Sequence, residues 1–402
     1  MIMYAGQRAA TNLQNKKWND NGEVMMNKVN IMDCSDKLHL IGRVYNYRDQ
    51  ELFFNWTCAG IRFCFEGSCL IAQLNAYCGE EMDRDRFGTI QKRTLWPYVA
   101  VFVDDNEEPV RCFEVNNSTK NYLLFSSDST ERHVITLRKI TENPKGKLSI
   151  SQFIMDGNLM EAKEEAEKLK LEFIGDSITC GFGNMSKERD HLFYSVDENG
   201  WYSHAAIAAR KLDADFSIIA YSGIAVTRGL GRMEWPVPVM PALYPYTDSL
   251  IEEFMGEETR EEWNAKQFQP DVIVVNLGTN DAAVIDFNGD ITLGVQKFEE
   301  DYYQFLKMIR EKNGREPWVI CALGSMDYYL YDNITRVAET FSRDFQDKKL
   351  SCFKYGKMRI MDGYGALGHP GRETQESMGM EIANYISTLL NTAKAEDGGH
   401  NE

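Results

Sequence analysis

The chain has 402 residues, and 44 Lys and Arg against 61 Asp and Glu leave a net charge of −17 at pH 7. That acidity excludes nucleic acid and anionic membrane as main partners, because both demand basic patches, and it favours a neutral substrate. With 43% hydrophobic residues, the chain can bury a sizeable core without help from metal or disulfides. The nine cysteines are odd in number and form no C-x-x-C, so neither structural zinc nor a disulfide framework is expected. Many of them sit in apolar runs such as Ile61–Cys64 and Val319–Leu323 and read as small buried hydrophobes of a reducing compartment. Met1 to Asn27 is polar and lacks the apolar core of a signal peptide, and no apolar run approaches the ~20 residues that span a bilayer. The expectation is a cytoplasmic protein with no cofactor and no metal.

Residues 1–30, rich in Asn, Lys and Met, read as an N-terminal extension. Residues 31–158 read as a β domain. Short apolar or alternating runs follow one another: Leu38–Tyr45, Leu52–Trp56, Gly60–Phe65, Leu70–Tyr77, Val99–Val103, Val110–Val115, Tyr122–Phe125, His133–Ile140 and Leu148–Met155. Turn chemistry separates several of them, as in Asp104-Asp105-Asn106 and Asn143-Pro144-Lys145-Gly146. This spacing predicts an all-β sandwich of the jelly-roll type. The mixed charges of 159–170 read as a linker.

From residue 171 to about 395 the pattern becomes strand and helix in alternation. Strands are predicted at Leu171–Ile174, Phe216–Tyr221, Val272–Val275, Trp318–Leu323 and, weakly, Lys357–Met361. Helices are predicted at Trp201–Leu212, Val295–Lys312, Thr335–Asp347 and Thr374–Asn391. Such alternation implies a parallel, doubly wound sheet with its site at the carboxyl ends of the strands. Three strand ends stand out: Gly175-Asp176-Ser177, Gly223, and Gly278-Thr279-Asn280-Asp281. Taken singly, each has two readings. Ser177 is either a nucleophile or a helix cap. Gly223 offers an unobstructed N–H or merely permits a tight turn. Asn280 is either a donor to a developing oxyanion or turn chemistry. Of the six histidines, His369 lies in a Gly-rich loop just before the last helix, where a base would hang over strand ends or where a structural histidine would sit.

The ordered set Gly175-Asp176-Ser177, Gly223, Gly278-Thr279-Asn280-Asp281 and His369-Pro370 resembles the block pattern of the SGNH (GDSL-type) hydrolases, over roughly residues 169 to 392. The β domain ahead of it, and the segment Met240-Pro241-Ala242-Leu243-Tyr244, resemble carbohydrate esterase family 2, the bacterial acetyl esterases. The resemblance implies a jelly roll followed by an α/β/α SGNH domain. It further implies Ser177 as nucleophile, His369 as base and later acid, and an oxyanion hole from the N–H groups of Ser177 and Gly223 with the Asn280 amide. Asp176 and Asp281 would be structural. The common pattern has Asp three residues before the histidine, where this chain has Ala366. Relatives that use a Ser-His dyad orient the ring with a main-chain carbonyl, and Leu367 is the nearest candidate here, ahead of the acids Asp362 and Glu373. The long loop 225–249 carries Trp235, Tyr244 and Tyr246, which read either as a sugar platform or as local packing. The expected function is O-deacetylation of acetylated xylo- or manno-oligosaccharides. A GDSL-type lipase or thioesterase and a non-catalytic carbohydrate-binding protein are the alternatives.

Overall fold

The computed structural model describes residues 26–84, 89–117, 119–160, 167–229, 237–286 and 289–398. The chain forms an N-terminal β domain followed by a domain built on a parallel sheet. In the first, ten strands join one hydrogen-bonded network around two long antiparallel strands, Gly60–Tyr77 and Lys120–Lys139. Each of these runs through a place where the sequence pattern predicts a break. At Glu66–Cys69 the strand continues because Asp156 accepts from the N–H groups of Ser68 and Cys69, at 2.9 and 2.8 Å, and so holds the backbone extended. In the partner strand the interruption is a bulge between Ser126 and Glu131. Asn27–Asn30, within the stretch read as an extension, pairs antiparallel with Lys147–Met155. A hairpin of Gly79–Arg84 and Ile90–Leu95 has no counterpart in the predicted elements, because its charged residues show no apolar alternation.

The second domain has five parallel strands. In spatial order they are Asp215–Ala220, Lys170–Gly175, Val272–Asn276, Trp318–Leu323 and Leu350–Lys354. In chain order this is 2-1-3-4-5, so the topological switch lies between the first and third strands, whose ends Gly175 and Asn276 are register partners. Both faces are covered. Val272 and Val274 pack with Ala205, Ala206 and Ile382 of the helices His204–Lys211 and Arg372–Gly398. Ile273 and Val275 face Phe298, Phe305 and Ile334 of the helices Ile291–Asn313 and Tyr331–Phe345. Burial on both sides explains the near-continuous apolar runs of these strands. The fifth strand is Leu350–Lys354 rather than Lys357–Met361. The latter segment leaves its apolar residues in solvent: Ile360 and Met361 are 80% and 84% exposed, in a loop with a single 3-10 turn.

The two domains are tied by buried polar groups as well as by a shared apolar core. Arg43 of the β domain is 1% exposed. Its guanidinium donates to the carbonyls of Tyr244 and Tyr246 at 2.6 and 2.7 Å, and lies 3.5 Å from the Glu172 carboxylate. Asp248 accepts from Asn55 and Asn143, both of the β domain, at 2.7 and 3.0 Å. Removing one partner of a buried pair leaves the other charge desolvated, so Arg43→Ala is expected to cost about 3–5 kcal/mol of stability, measurable by denaturant unfolding. A cost under about 1 kcal/mol would mean that Glu172 finds solvent or another donor.

Candidate functional site

Gly175 ends the first parallel strand, and no side chain fits there, because a Cβ would lie 2.0 Å from the Thr179 hydroxyl. The chain turns at once into the helical turn Ser177–Cys180. Its cap is Asp176, whose carboxylate accepts from the Ile178 N–H at 3.0 Å. With the cap supplied by the preceding residue, the Ser177 hydroxyl is left for another partner. Ser177 Oγ lies 2.9 Å from His369 Nε2.

His369 follows a short 3-10 turn, Ala366–Gly368, in which Leu367 adopts a left-handed conformation with φ 51°. That turn brings the Ala366 carbonyl back onto its own loop. The carbonyl accepts from the His369 backbone N–H at 3.2 Å and lies 3.2 Å from Nδ1. The principal main-chain partner of the ring is therefore Ala366, one residue before Leu367, whose carbonyl makes the lesser contribution. Among the described residues no carboxylate bonds to His369. Asp362 is engaged by Arg359 through two bonds of 2.8 Å, and Glu373 is exposed on the first turn of the last helix. The position where a third acid would stand is apolar: Ala366 is buried among Leu95, Phe182 and Phe193, and its N–H donates to the Gly183 carbonyl at 3.0 Å. An aspartate there would lose its hydration inside this apolar cluster. The His369 ring also packs on Phe182, with centroids 4.5 Å apart. Burial, with the Lys145 charge acting in the same direction, lowers its pKa to about 4 despite the two carbonyls, so the ring is neutral at pH 7.

The other two strand ends converge on the same point. Gly223 has φ 81°, a conformation that favours glycine. Among the described residues, neither the Ser177 N–H nor the Gly223 N–H is taken by a protein acceptor. The Asn280 amide donates to the Ile224 carbonyl at 2.7 Å and makes a long 3.4 Å contact with Asp176. Asp281 accepts from the N–H groups of Val226 and Thr227, at 3.1 and 2.8 Å, and so fastens the third strand end to the loop after the second. Burial raises the carboxyl of Asp176 to about 7 and that of Asp281 to about 6. A serine hydroxyl bonded to a neutral, oriented imidazole, beside open N–H donors, is an arrangement able to activate an oxygen nucleophile and receive a developing oxyanion.

The aromatic residues of the long loop are placed differently. Trp235 lies outside the described residues. Tyr244 is 1% exposed. Its hydroxyl donates to Glu172 at 2.6 Å and accepts from Asn313 at 2.7 Å, while Arg43 stands over its ring. Its face is thus committed to the domain boundary and closed to a sugar. Tyr246 is half-buried nearby, with its carbonyl held by Arg43.

Sequence reasoning missed a buried set of charges behind the site. Glu142, Lys145 and Glu198 are all within 2% of full burial. Lys145 pairs with Glu81, lies 3.5 Å from Glu142 and stands over the Phe182 and Phe193 rings. Glu142, Cys180 and Glu198 bring potential ligand atoms within 4.8 Å of one another, although no ligand spacing in the sequence suggested it. Both Glu142 oxygens already accept hydrogen bonds from Ser222, and a lysine ammonium adjoins them. Positive charge is thereby supplied without an ion. Burial raises both carboxyls and lowers Lys145 to about 8.

Residues 40–162 match the family Carbohydrate esterase 2 N-terminal, and residues 173–348 match the GDSL-like Lipase/Acylhydrolase family. The chain is 30% identical over 325 residues to a cellulase/esterase, CelE, of Acetivibrio thermocellus, covering 78% of this chain and 37% of that protein. It is 27% identical over 228 residues to an acetylxylan esterase/glucomannan deacetylase of Cellvibrio japonicus, covering 55% of this chain and 59% of that one. The chain thus spans just over a third of the first relative and under two thirds of the second. Among solved structures, a family two carbohydrate esterase from Clostridium thermocellum in complex with cellohexaose superposes with a TM-score of 0.73 at 27% identity, covering 88% of this chain and 99% of that one.

Proposed function

We propose that the chain is a member of carbohydrate esterase family 2, as the matches to its N-terminal and GDSL-like parts support, and that it is a serine esterase removing O-acetyl groups from oligosaccharides of the xylo or manno type. The observation that carries this reading is the 2.9 Å contact between Ser177 Oγ and His369 Nε2, with Nδ1 held by a main-chain carbonyl. In the proposed reaction His369 Nε2 takes the hydroxyl proton as Ser177 Oγ bonds to the acetyl carbon. The carbonyl oxygen becomes an oxyanion facing the N–H groups of Ser177 and Gly223. Of the two Asn280 amide hydrogens, one is engaged by Ile224, and the one that makes only the long contact with Asp176 turns to the oxyanion. Collapse of this intermediate breaks the bond to the sugar oxygen, which receives the proton from His369. Water, deprotonated by the same ring, then releases acetate and restores Ser177.

The net negative charge and the names of the relatives support a neutral, acetylated carbohydrate as substrate. Acetate release from acetylated xylo- and manno-oligosaccharides, alongside p-nitrophenyl esters of increasing chain length, tests the reading. Acetyl preference is expected; rates that rise with acyl length would favour a lipase-like enzyme instead.

Two expectations follow from the ring's surroundings. The neutral imidazole is the active base, so activity is lost as the pH falls through the His369 pKa. The acid limb of kcat/KM should therefore fall at about pH 4, well below the ordinary histidine value. An acid limb at or above 6.5 would show a ring that is solvated or paired with a carboxylate. Because a carbonyl orients the ring, Asp362→Asn and Glu373→Gln should keep most of the wild-type activity. In a Ser-His-Asp system the equivalent amide change costs about 10⁴ in kcat.

A further inference from the structure

The candidate oxyanion turn does not stand on its own domain alone. Tyr221-Ser222-Gly223 leaves the second parallel strand, and Glu142 reaches it from the β domain. Glu142 is fully buried. One of its carboxylate oxygens accepts from the Ser222 backbone N–H and the other from the Ser222 hydroxyl, both at 2.6 Å. The first oxygen also lies 3.5 Å from Cys180 Sγ, at the end of the helical turn that begins with Ser177. One carboxylate thus touches both segments that carry unengaged N–H groups.

Its own position is fixed from several sides. The Glu142 N–H donates to Glu198 at 3.1 Å, its carbonyl accepts from Lys139 Nζ at 2.5 Å, and Lys145 Nζ lies 3.5 Å from the carboxylate. Lys139 also donates to the carbonyls of Asn55 and Thr141, at 3.1 and 2.8 Å, which ties the segment back to the β domain. A glycine at φ 81° is permissive in itself; two short bonds to the residue before it remove that freedom.

We propose that Glu142 is a positioning residue for ester hydrolysis: the β domain, through this carboxylate, sets the angle at which the Gly223 N–H meets the oxyanion. The β domain is then an integral part of the active site. The proposal rests on the serine-esterase reading above.

The test compares wild type with Glu142→Met, which keeps volume and removes both acceptors, and Glu142→Gln, whose amide oxygen can still accept from the Ser222 N–H. Steady-state rates are measured with p-nitrophenyl acetate and with its thionoacetate, in which a large, weakly accepting sulfur replaces the oxygen that enters the hole. Glu142→Met is expected to lose on the order of tenfold or more in kcat with KM within about twofold. Its oxygen-to-sulfur rate ratio should move toward that of hydroxide-catalysed hydrolysis, and Glu142→Gln should recover much of both. Wild-type kcat and ratio in a folded Glu142→Met protein overturn the proposal, as does a fall in kcat with an unchanged ratio, which marks a merely structural residue. If Glu142→Met does not fold, Glu142→Leu, which also lacks both acceptors, carries the same readout, and an unchanged ratio there also overturns it. Ser177→Ala run in parallel separates the two failures. An active Ser177→Ala removes the serine reading itself; an inactive one beside an unperturbed Glu142→Met removes only the role of Glu142.

Discussion

Ser177→Ala and His369→Ala are each expected to lower kcat by about 10⁴–10⁶ while leaving the fold intact. In the proposed reaction the Ser177 hydroxyl is the nucleophile that bonds to the acetyl carbon. Without the ring the hydroxyl stays protonated, because among the described residues nothing else at the 2.9 Å position can accept its proton. The two groups act as one unit, so the double variant should be hardly slower than either single one. Stability should change little: Ser177→Ala leaves one ring nitrogen without its partner, a loss of about 1–3 kcal/mol at most. Rates on p-nitrophenyl acetate, with circular dichroism as the control for folding, check the expectation. Additive losses in the double variant would mean that the pair does not work as a dyad.

Asn280→Ala should lower kcat by about 10²–10³ with a smaller change in KM. In the proposed reaction the amide faces charge that exists only in the tetrahedral intermediate, so its removal costs the transition state more than the ground state. Two features could disguise this. The amide also donates to the Ile224 carbonyl at 2.7 Å, in the loop that follows Gly223, and Asp281 one residue later fastens the same loop. Loss of the side chain therefore removes one donor directly and loosens the Gly223 donor indirectly, which favours the upper end of the range. A change confined to KM would instead make Asn280 a substrate-binding residue.

The residues of the candidate site were legible in the sequence where backbone chemistry forces the residue type. Gly175 has no room for a Cβ, Gly223 and Gly278 have positive φ, and each follows a run of β-branched or apolar residues that reads as a buried strand. Ala366 was legible as a departure, but the physical reason for it was not. It packs against Leu95, which lies some 270 positions earlier in the chain, and this contact exists only in three dimensions. The choice between cap and nucleophile at Ser177 could not be made from position alone. It turned on Asp176 folding back onto the Ile178 N–H.

Long-range burial hid the rest. Glu142 and Lys145 sit in a stretch with ordinary turn chemistry, and in sequence such charges look solvated. They are buried because the second domain closes over them. Tyr244 shows the converse. An aromatic residue in a proline-rich loop reads as a possible sugar platform, yet Arg43, Glu172 and Asn313, from three distant segments, enclose it. The shift of the fifth parallel strand to Leu350–Lys354 has no local signal. Leu350–Lys354 and Lys357–Met361 each carry three apolar residues among polar ones, so composition does not choose between them; Ile360 and Met361 stay in solvent, while Leu350–Lys354 pairs with the fourth strand.

The account turns on one serine, and covalent titration tests it most directly. The active protein is treated with a fluorophosphonate, which forms a stable tetrahedral adduct with an activated serine. Acetate release from an acetylated xylo-oligosaccharide is followed as peptide mass spectrometry locates the adduct. The expected result is a single adduct on Ser177 that appears in step with the loss of acetate release and fails to form in His369→Ala. Acetate release that persists after Ser177 is fully labelled, or inactivation with the adduct on another residue, would contradict the account.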